Sequence, residues 1–391
     1  MDNAKKVSLI EKLFFVFLVI FPFGQLLRFE IPLFGKIIPV QPLDVLSLIF
    51  FGIFLTGGFK LPKIFKYVTT FLIVGVFSQL VFVATHGIEA SMVGMFYLLR
   101  LFAYGAMFFV YWNLFGQKPE YQKKVVNILI LLSSAIAVLG WIQYWLFPDL
   151  TVLKEIGWDD HLFRLVGTFL DPTYTGILIC FGALLSFAKF QETKKIKMLA
   201  VFLLNVFALA FTYSRASYLA FLVGLGALIM YRRKIKVPLI ILPVFLIGLL
   251  FLPRPGGEGV RLERTASIIG RLGNYKETAY IFSKNPLFGV GYNNLCWYRQ
   301  TYLPLSKVEG HACGGADSSI LYLMATMGVV GTILFFTLGW KSFILVSGSQ
   351  KVYLFVLGMA LLVHSLFSNS IFYPWVVGYM IILLSGTMRK N

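Results

Sequence analysis

Charge is scarce in this chain. Only 13% of its 391 residues are Asp, Glu, Lys or Arg, about half the share in a soluble globular domain. Hydrophobic residues make up 58%, in runs of roughly 20 that match the thickness of a bilayer core. A water-soluble fold is excluded on that balance. Acids are scarcer still, 17 against 35 Lys and Arg, for a net charge of +18. A basic excess in a soluble chain points to nucleic acid; here it is dispersed over short segments between apolar runs, so no nucleic-acid partner is expected. Only three cysteines occur, too few for a disulfide scaffold. Phosphate-loop, nucleophile-elbow and H-E-x-x-H patterns are all missing, which removes the sequence basis for ATP hydrolysis or protease chemistry. "WDDH" (Trp158–His161) is the one acidic cluster with a histidine, and its residues are too close together for a folded metal site. No metal and no cofactor is expected. Repeats of 20–50 residues and inverted repeats are also not discernible.

What is present is a polytopic pattern. Twelve spans are predicted at 10–27, 41–58, 67–84, 92–115, 125–147, 172–190, 198–213, 216–231, 237–252, 319–340, 350–367 and 371–388. The first follows "AKK…EK" without a small-residue cleavage site, so it is read as a spanning helix and not a signal peptide. With the amino terminus inside, alternate connections are short and basic: Lys60, Lys63 and Lys66, then Lys118, Lys123 and Lys124, then Lys194, Lys195 and Lys197, then Arg232, Arg233 and Lys234. That asymmetry is the positive-inside pattern and predicts that both termini are cytoplasmic. The expected fold is all-α, with helices 1–9 in residues 1–252, an external loop domain at 253–318, and helices 10–12 in 319–391. With 40 Phe and 19 Tyr, aromatics exceed what interfacial belts require, so most must pack between helices or face lipid.

A loop as long as Pro253–Ser318 is usually functional. Within it, "RTASIIGRLGNYKETAYIFSKNPL" predicts a helix, because Ile268, Leu272, Tyr275, Ala279 and Phe282 recur at helical spacing. Arg264 and Arg271 fall on that side. They either snorkel to lipid phosphates or line an anion site. Cys296 and Cys313 share this loop, as a disulfide or as two thiols; Cys180 lies in a span.

Arg215, in "FTYSRASYLAFLVGLG", sits in a very tight external connection between spans 7 and 8. A cation there needs solvation or a partner: a lipid phosphate, a loop carboxylate or an anionic substrate. Arg100 is placed deeper, inside span 4, and Arg164 lies in the external segment 148–172. Asp171 before Pro172 reads as a helix N-cap. Near the last three spans, His311 and Asp317 could each act as a general base toward a hydroxyl; Asp317 could instead cap the next helix, and His311 could be an ordinary loop residue.

Four blocks in order, "RLVGTFLDPTYTGILICFGALL", "YSRASYLAFLVGL", "RLGNYKETAYIFSKNPLFGVGYNN" and "DSSILYLMATMGVVG", resemble the bacterial O-antigen ligase and O-antigen polymerase family over roughly residues 160–390. The resemblance implies a GT-C type fold and a glycan donor on undecaprenyl diphosphate at the outer leaflet of the inner membrane. It implies inverting transfer, without metal or nucleotide, to an acceptor sugar hydroxyl on lipid A-core or a growing glycan. Arg215 matches the arginine of the family's "SR" motif and Arg271 the arginine opening the loop helix, both holding diphosphate; Arg100, Arg164 and Arg264 are further candidates. Where ligases carry a His-Asn pair, this chain has Asp317 and Ser318, a departure that favours a polymerase or a divergent ligase, with Asp317 or His311 as base. The alternative is a secondary transporter or flippase of lipid-linked glycans, since twelve spans with both ends inside is also a transporter layout.

Overall fold

The computed structural model describes residues 3–33, 36–233, 236–303, 313–346 and 348–389. A helix occupies each of the twelve predicted segments: α1 (Asn3–Ile20), α2 (Pro42–Leu55), α3 (Phe65–His86), α4 (Ile88–Gln117), α5 (Pro119–Leu146), α6 (Pro172–Thr193), α7 (Ile196–Phe211), α8 (Arg215–Arg232), α9 (Lys236–Leu250), α12 (Ser319–Leu345), α13 (Lys351–His364) and α14 (Pro374–Thr387). The long loop adds α10 (Ala266–Lys284) and α11 (Leu295–Tyr302). Among the described residues six helical segments are long and apolar enough to cross a membrane, and five further apolar helices are shorter. This is the architecture of a multi-pass membrane protein. One departure from the all-α expectation is a hairpin, β1 (Phe29–Leu33) against β2 (Lys36–Val40), antiparallel with Phe29 opposite Val40.

α6 is the central post. Every residue from Thr175 to Ala188 is buried, which small residues make possible. A Cβ on Gly176 would meet Ser217 Oγ of α8 at 2.4 Å, and one on Gly182 would meet Ser133 Cβ of α5 at 2.3 Å. Lipid offers little hydrophobic drive between helices, so close approach over glycine supplies the dispersion contact instead. Asp171 caps α6 as its sequence suggests: Oδ1 accepts from the Thr173 and Tyr174 amides at 2.6 and 3.2 Å. The helix that packs over Gly176, α8, begins with Arg215.

α12 is broken at Gly328, whose φ of 66° interrupts the helix. The loop segment 286–290 fits the break. Val329 N donates to Pro286 O at 2.9 Å, Val330 N to Leu287 O at 3.2 Å, and Val290 N to Ala325 O at 2.9 Å. Irregular backbone among membrane helices is tolerated where protein satisfies it, and here loop and helix satisfy each other. A Cβ on Gly328 would meet Leu287 O at 2.2 Å, so Gly328→Ala combines that clash with a left-handed backbone costing about 1–3 kcal/mol. We expect a clear fall in the thermal midpoint of the detergent-solubilised protein. Gly339→Ala, in open space on the same helix, is expected to leave it unchanged; equal melts for the two would contradict this seating of the loop.

Candidate active site

The site grows from the turn between α7 and α8. Thr212 ends α7, Tyr213 turns left-handed at φ 50°, and Ser214 caps α8 by accepting from Ser217 N. Arg215 is thus the first helical residue, at the end where the helix dipole and unpaired amides already favour an anion. Its guanidinium is fixed by neutral acceptors. Nη1 donates to Leu262 O at 3.1 Å and Arg264 O at 2.9 Å, and Nη2 to Ser267 Oγ at 2.6 Å. Carbonyls and hydroxyls orient the group without cancelling its charge.

Across from it stands α10. Its buried side is Asn274, Thr278 and Ile281. Of the predicted apolar stripe, Ile268 and Leu272 keep 46% and 52% of their surface exposed. Ile268, Leu272 and Tyr275 line an open cleft of about 340 Å³ together with Arg271, Arg215, Ala216, Leu219 and Phe367. The structure therefore brings Arg215 and Arg271 to one cleft, whose remaining wall is apolar. Neither makes an ion pair among the described residues.

The other three arginines are differently employed. Arg264 precedes α10 and does not share its face; it donates to Gly259 O and Arg261 O, both at 2.8 Å, and to Tyr213 O at 3.2 Å. Arg164, 7% exposed, donates to Thr212 O at 3.1 Å and Tyr213 O at 3.3 Å. Both clamp the turn that presents Arg215. Burial, with repulsion from Arg215 and Arg271, lowers the Arg264 pKa to about 10; burial, with repulsion from Arg264, does the same to Arg164. Arg100 pairs through Nε with Asp44 at 2.6 Å. Arg100 lies well inside α4, and its partner Asp44 lies in the first turn of α2.

Asp317 lies just ahead of α12. Ser318, not Asp317, is the N-cap, its side chain accepting from Leu321 N, so the capping alternative for Asp317 is set aside. Its backbone amide donates to Asn274 Oδ1 of α10 at 2.9 Å. Burial raises the carboxyl pKa, opposed by Arg271 and Arg299. His311 lies outside the described residues. The cluster at "WDDH" does not gather a ligand set: among the described residues no three His, Cys, Asp or Glu side chains converge for a metal. His161 is buried with neither ring nitrogen bonded, and burial brings its pKa to about 4.

Of three supports around the site, two, Arg299 and His364, were not singled out from sequence. Arg299 on α11 is 1% exposed; Nη1 donates to Cys313 O at 2.5 Å and Gly315 O at 2.7 Å, and Nε pairs with Glu277 at 3.4 Å. Cys296 and Cys313 form a disulfide, resolving the choice left open by sequence. His364, fully buried at the end of α13, links Ser217 Oγ (3.2 Å) to Ser370 Oγ (2.5 Å). The only signal for Arg299 was its place three residues after Cys296 in a helix-like stretch. The disulfide and Arg299 together fix the segment that ends at Asp317. Replacing both cysteines with serine opens a loop of 17 residues, for which chain entropy gives about 3 kcal/mol. We expect a lower melting temperature and reduced transfer, with reductant reproducing both effects in the unmodified protein; a fully active, equally stable double variant would contradict it.

Residues 200–336 match the model of a protein family described as O-antigen ligase. The matched region contains Arg215, Arg264, Arg271, Arg299 and Asp317, and so takes in both arginines of the cleft; Arg100 and Arg164 precede it. The match supports the resemblance drawn from the four sequence blocks. It points broadly to activity of the O-antigen ligase or polymerase type. No curated protein matches the chain.

Proposed function

We propose that this protein is a metal-independent, inverting glycosyltransferase that moves a glycan from undecaprenyl diphosphate to an acceptor sugar hydroxyl at the outer face of the inner membrane. The observation that carries the reading is the cleft in which two guanidinium groups, Arg215 and Arg271, neither in an ion pair among the described residues, meet an apolar wall of Ile268, Leu272, Leu219 and Phe367. That pairing suits a ligand that is an anion at one end and a hydrocarbon at the other. Arginine's fork matches phosphate oxygens.

In the reaction, the acceptor oxygen attacks the anomeric carbon and the bond from that carbon to the diphosphate oxygen breaks. The electron pair leaves with undecaprenyl diphosphate, and the hydroxyl proton passes to the Asp317 carboxylate. Arg215 and Arg271 oppose the charge that builds on the leaving oxygens, as fixed donors do without reorganising during the step. Arg164 and Arg264 hold the turn that aims Arg215. Asp317 stands where ligases of this type carry histidine, and the substitution favours chain polymerisation over capping of lipid A-core.

The test is purified protein in detergent given one lipid-linked repeat unit, with and without lipid A-core. Chain growth identifies a polymerase, and capping of the core identifies a ligase. A transporter, which needs two compartments, turns over nothing in micelles, so absence of product in both arms would favour that alternative.

A further inference from the structure

A chain of polar side chains runs along the seam between the two apolar clusters of the helical region, one containing Tyr104 and Tyr373, the other packed by Tyr97 and Phe372. Gln25 Nε2 donates to Tyr373 OH at 3.0 Å, and Gln41 Nε2 donates to Gln25 Oε1 at 2.7 Å. Gln41 N donates to Asp44 Oδ2 at 2.8 Å, and Tyr104 OH donates to Asp44 Oδ1 at 2.6 Å. Arg100 Nε meets that same Oδ1 at 2.6 Å. Gln25, Gln41 and Asp44 are all at least nine-tenths buried, and among the described residues Gln41 Oε1 has no hydrogen-bond partner. An unsatisfied buried acceptor is costly, and more so among membrane helices. The diphosphate grip uses none of these groups.

The seam differs chemically from the arginine cleft. Arg100 is matched by a carboxylate, so the pair carries no net charge and has little reason to draw a diphosphate. It offers donors and acceptors side by side. It also lies against aromatic faces: the guanidinium carbon is 5.5 Å from the Tyr97 ring centroid and 5.9 Å from that of Tyr104, while Tyr174 and Tyr373 stack at 3.8 Å. Vicinal hydroxyls accept and donate to such a pair, and the C–H face of a pyranose lies on a tyrosine ring; a few convergent polar groups among aromatics is the ordinary make-up of a small-ligand site. A hydrogen bond ties the seam to the start of α8: Ser217, two residues beyond Arg215, donates to Thr173 O at 3.3 Å, and Tyr174 follows directly.

We propose that Asp44 and Arg100, with Gln41 and Tyr97, form a subsite for a neutral sugar residue of the glycan and not for diphosphate. The inference rests on the reading of Arg215 and Arg271 as the diphosphate grip, and reassigns Arg100 from that grip. The sugar belongs either to the donor glycan or to the acceptor, and kinetics separate the two.

Two variants test it: the double change Asp44→Asn with Arg100→Gln, which removes both charges and keeps polar groups, and Tyr97→Leu, which leaves the ion pair in place. Each is assayed in detergent with sugar-free undecaprenyl diphosphate, by competition, and with undecaprenyl diphosphate carrying one neutral repeat unit plus acceptor. Both variants are expected to bind the sugar-free lipid within about twofold of the original protein. KM for one glycan substrate should rise about tenfold, the size of one lost net hydrogen bond or stacking contact; the substrate whose KM moves identifies the source. Unchanged KM for both glycan substrates overturns the subsite, and so does an equal loss of affinity for the sugar-free lipid. Arg215→Ala serves as the separate control: if it keeps full affinity for the sugar-free lipid, the diphosphate grip fails while the glycan measurements still decide the subsite.

Discussion

Arg215→Ala is expected to reduce glycan transfer by at least about 10²–10³-fold, the usual loss on removing one preorganised donor to a developing oxyanion, while the protein still inserts and elutes as a single species. The residue stands at the first position of α8 with no carboxylate partner among the described residues, beside Arg271 in the cleft. It also holds Leu262 O, Arg264 O and Ser267 Oγ, so alanine frees the start of the loop helix as well as removing charge. Arg215→Lys separates the two effects. Lysine keeps the charge as a point, but cannot reach two carbonyls and a hydroxyl while presenting a planar fork. We expect it to recover some affinity for undecaprenyl diphosphate and little of the rate. Purified Arg215→Ala that still transfers glycan at the original rate would remove the basis of the proposed mechanism.

Asp317→Asn is expected to cost about 10²–10⁴-fold in rate, the range for a positioned general base, with little change in affinity for the lipid donor. The pH dependence gives a sharper signature. Burial raises the Asp317 pKa above the ordinary carboxylate value, and a base works only when deprotonated. Transfer should therefore fall as pH drops through that raised value, and this acid limb should vanish in Asp317→Asn. Stability moves the other way. A carboxyl whose pKa is higher folded than unfolded favours the folded state in its protonated form, and that contribution is lost as pH rises through the folded pKa. Near neutral pH the ionised group is thus a burden on the fold, and asparagine is expected to leave the melting temperature level or higher. Lost activity together with lost stability would point to a structural role for Asp317 instead.

Much of the architecture was legible because bilayer thickness calls for apolar runs of roughly 20 residues, so composition locates the apolar helices. The Asp171 cap and the helix around Tyr275 followed from local rules of the same kind. What escaped depends on partners far apart in the chain. Arg100 looks like a lone cation until Asp44, in another helix, is seen beside it. Arg164 and Arg264 look like ligands until both are found on the carbonyl of Tyr213. The period of the stripe on α10 was legible, but its spacing does not distinguish an interfacial face from a cleft wall, and only the structure shows Ile268, Leu272 and Tyr275 lining the cleft. The hairpin at 29–40 gave too short a signal between two apolar runs, and the break in α12 comes from loop residues more than thirty positions earlier.

That break bears on how the chain is built. Residues 286–290 are synthesised before Gly328 exists, and their exposed amide and carbonyl groups depend on water until the later helix arrives. The junction is a late event of assembly, joining two pieces of chain that leave the ribosome at different moments. A truncation ending before Gly328 would leave those groups without their partners, and the quality-control proteases of the envelope would meet a loop that only its successor can protect.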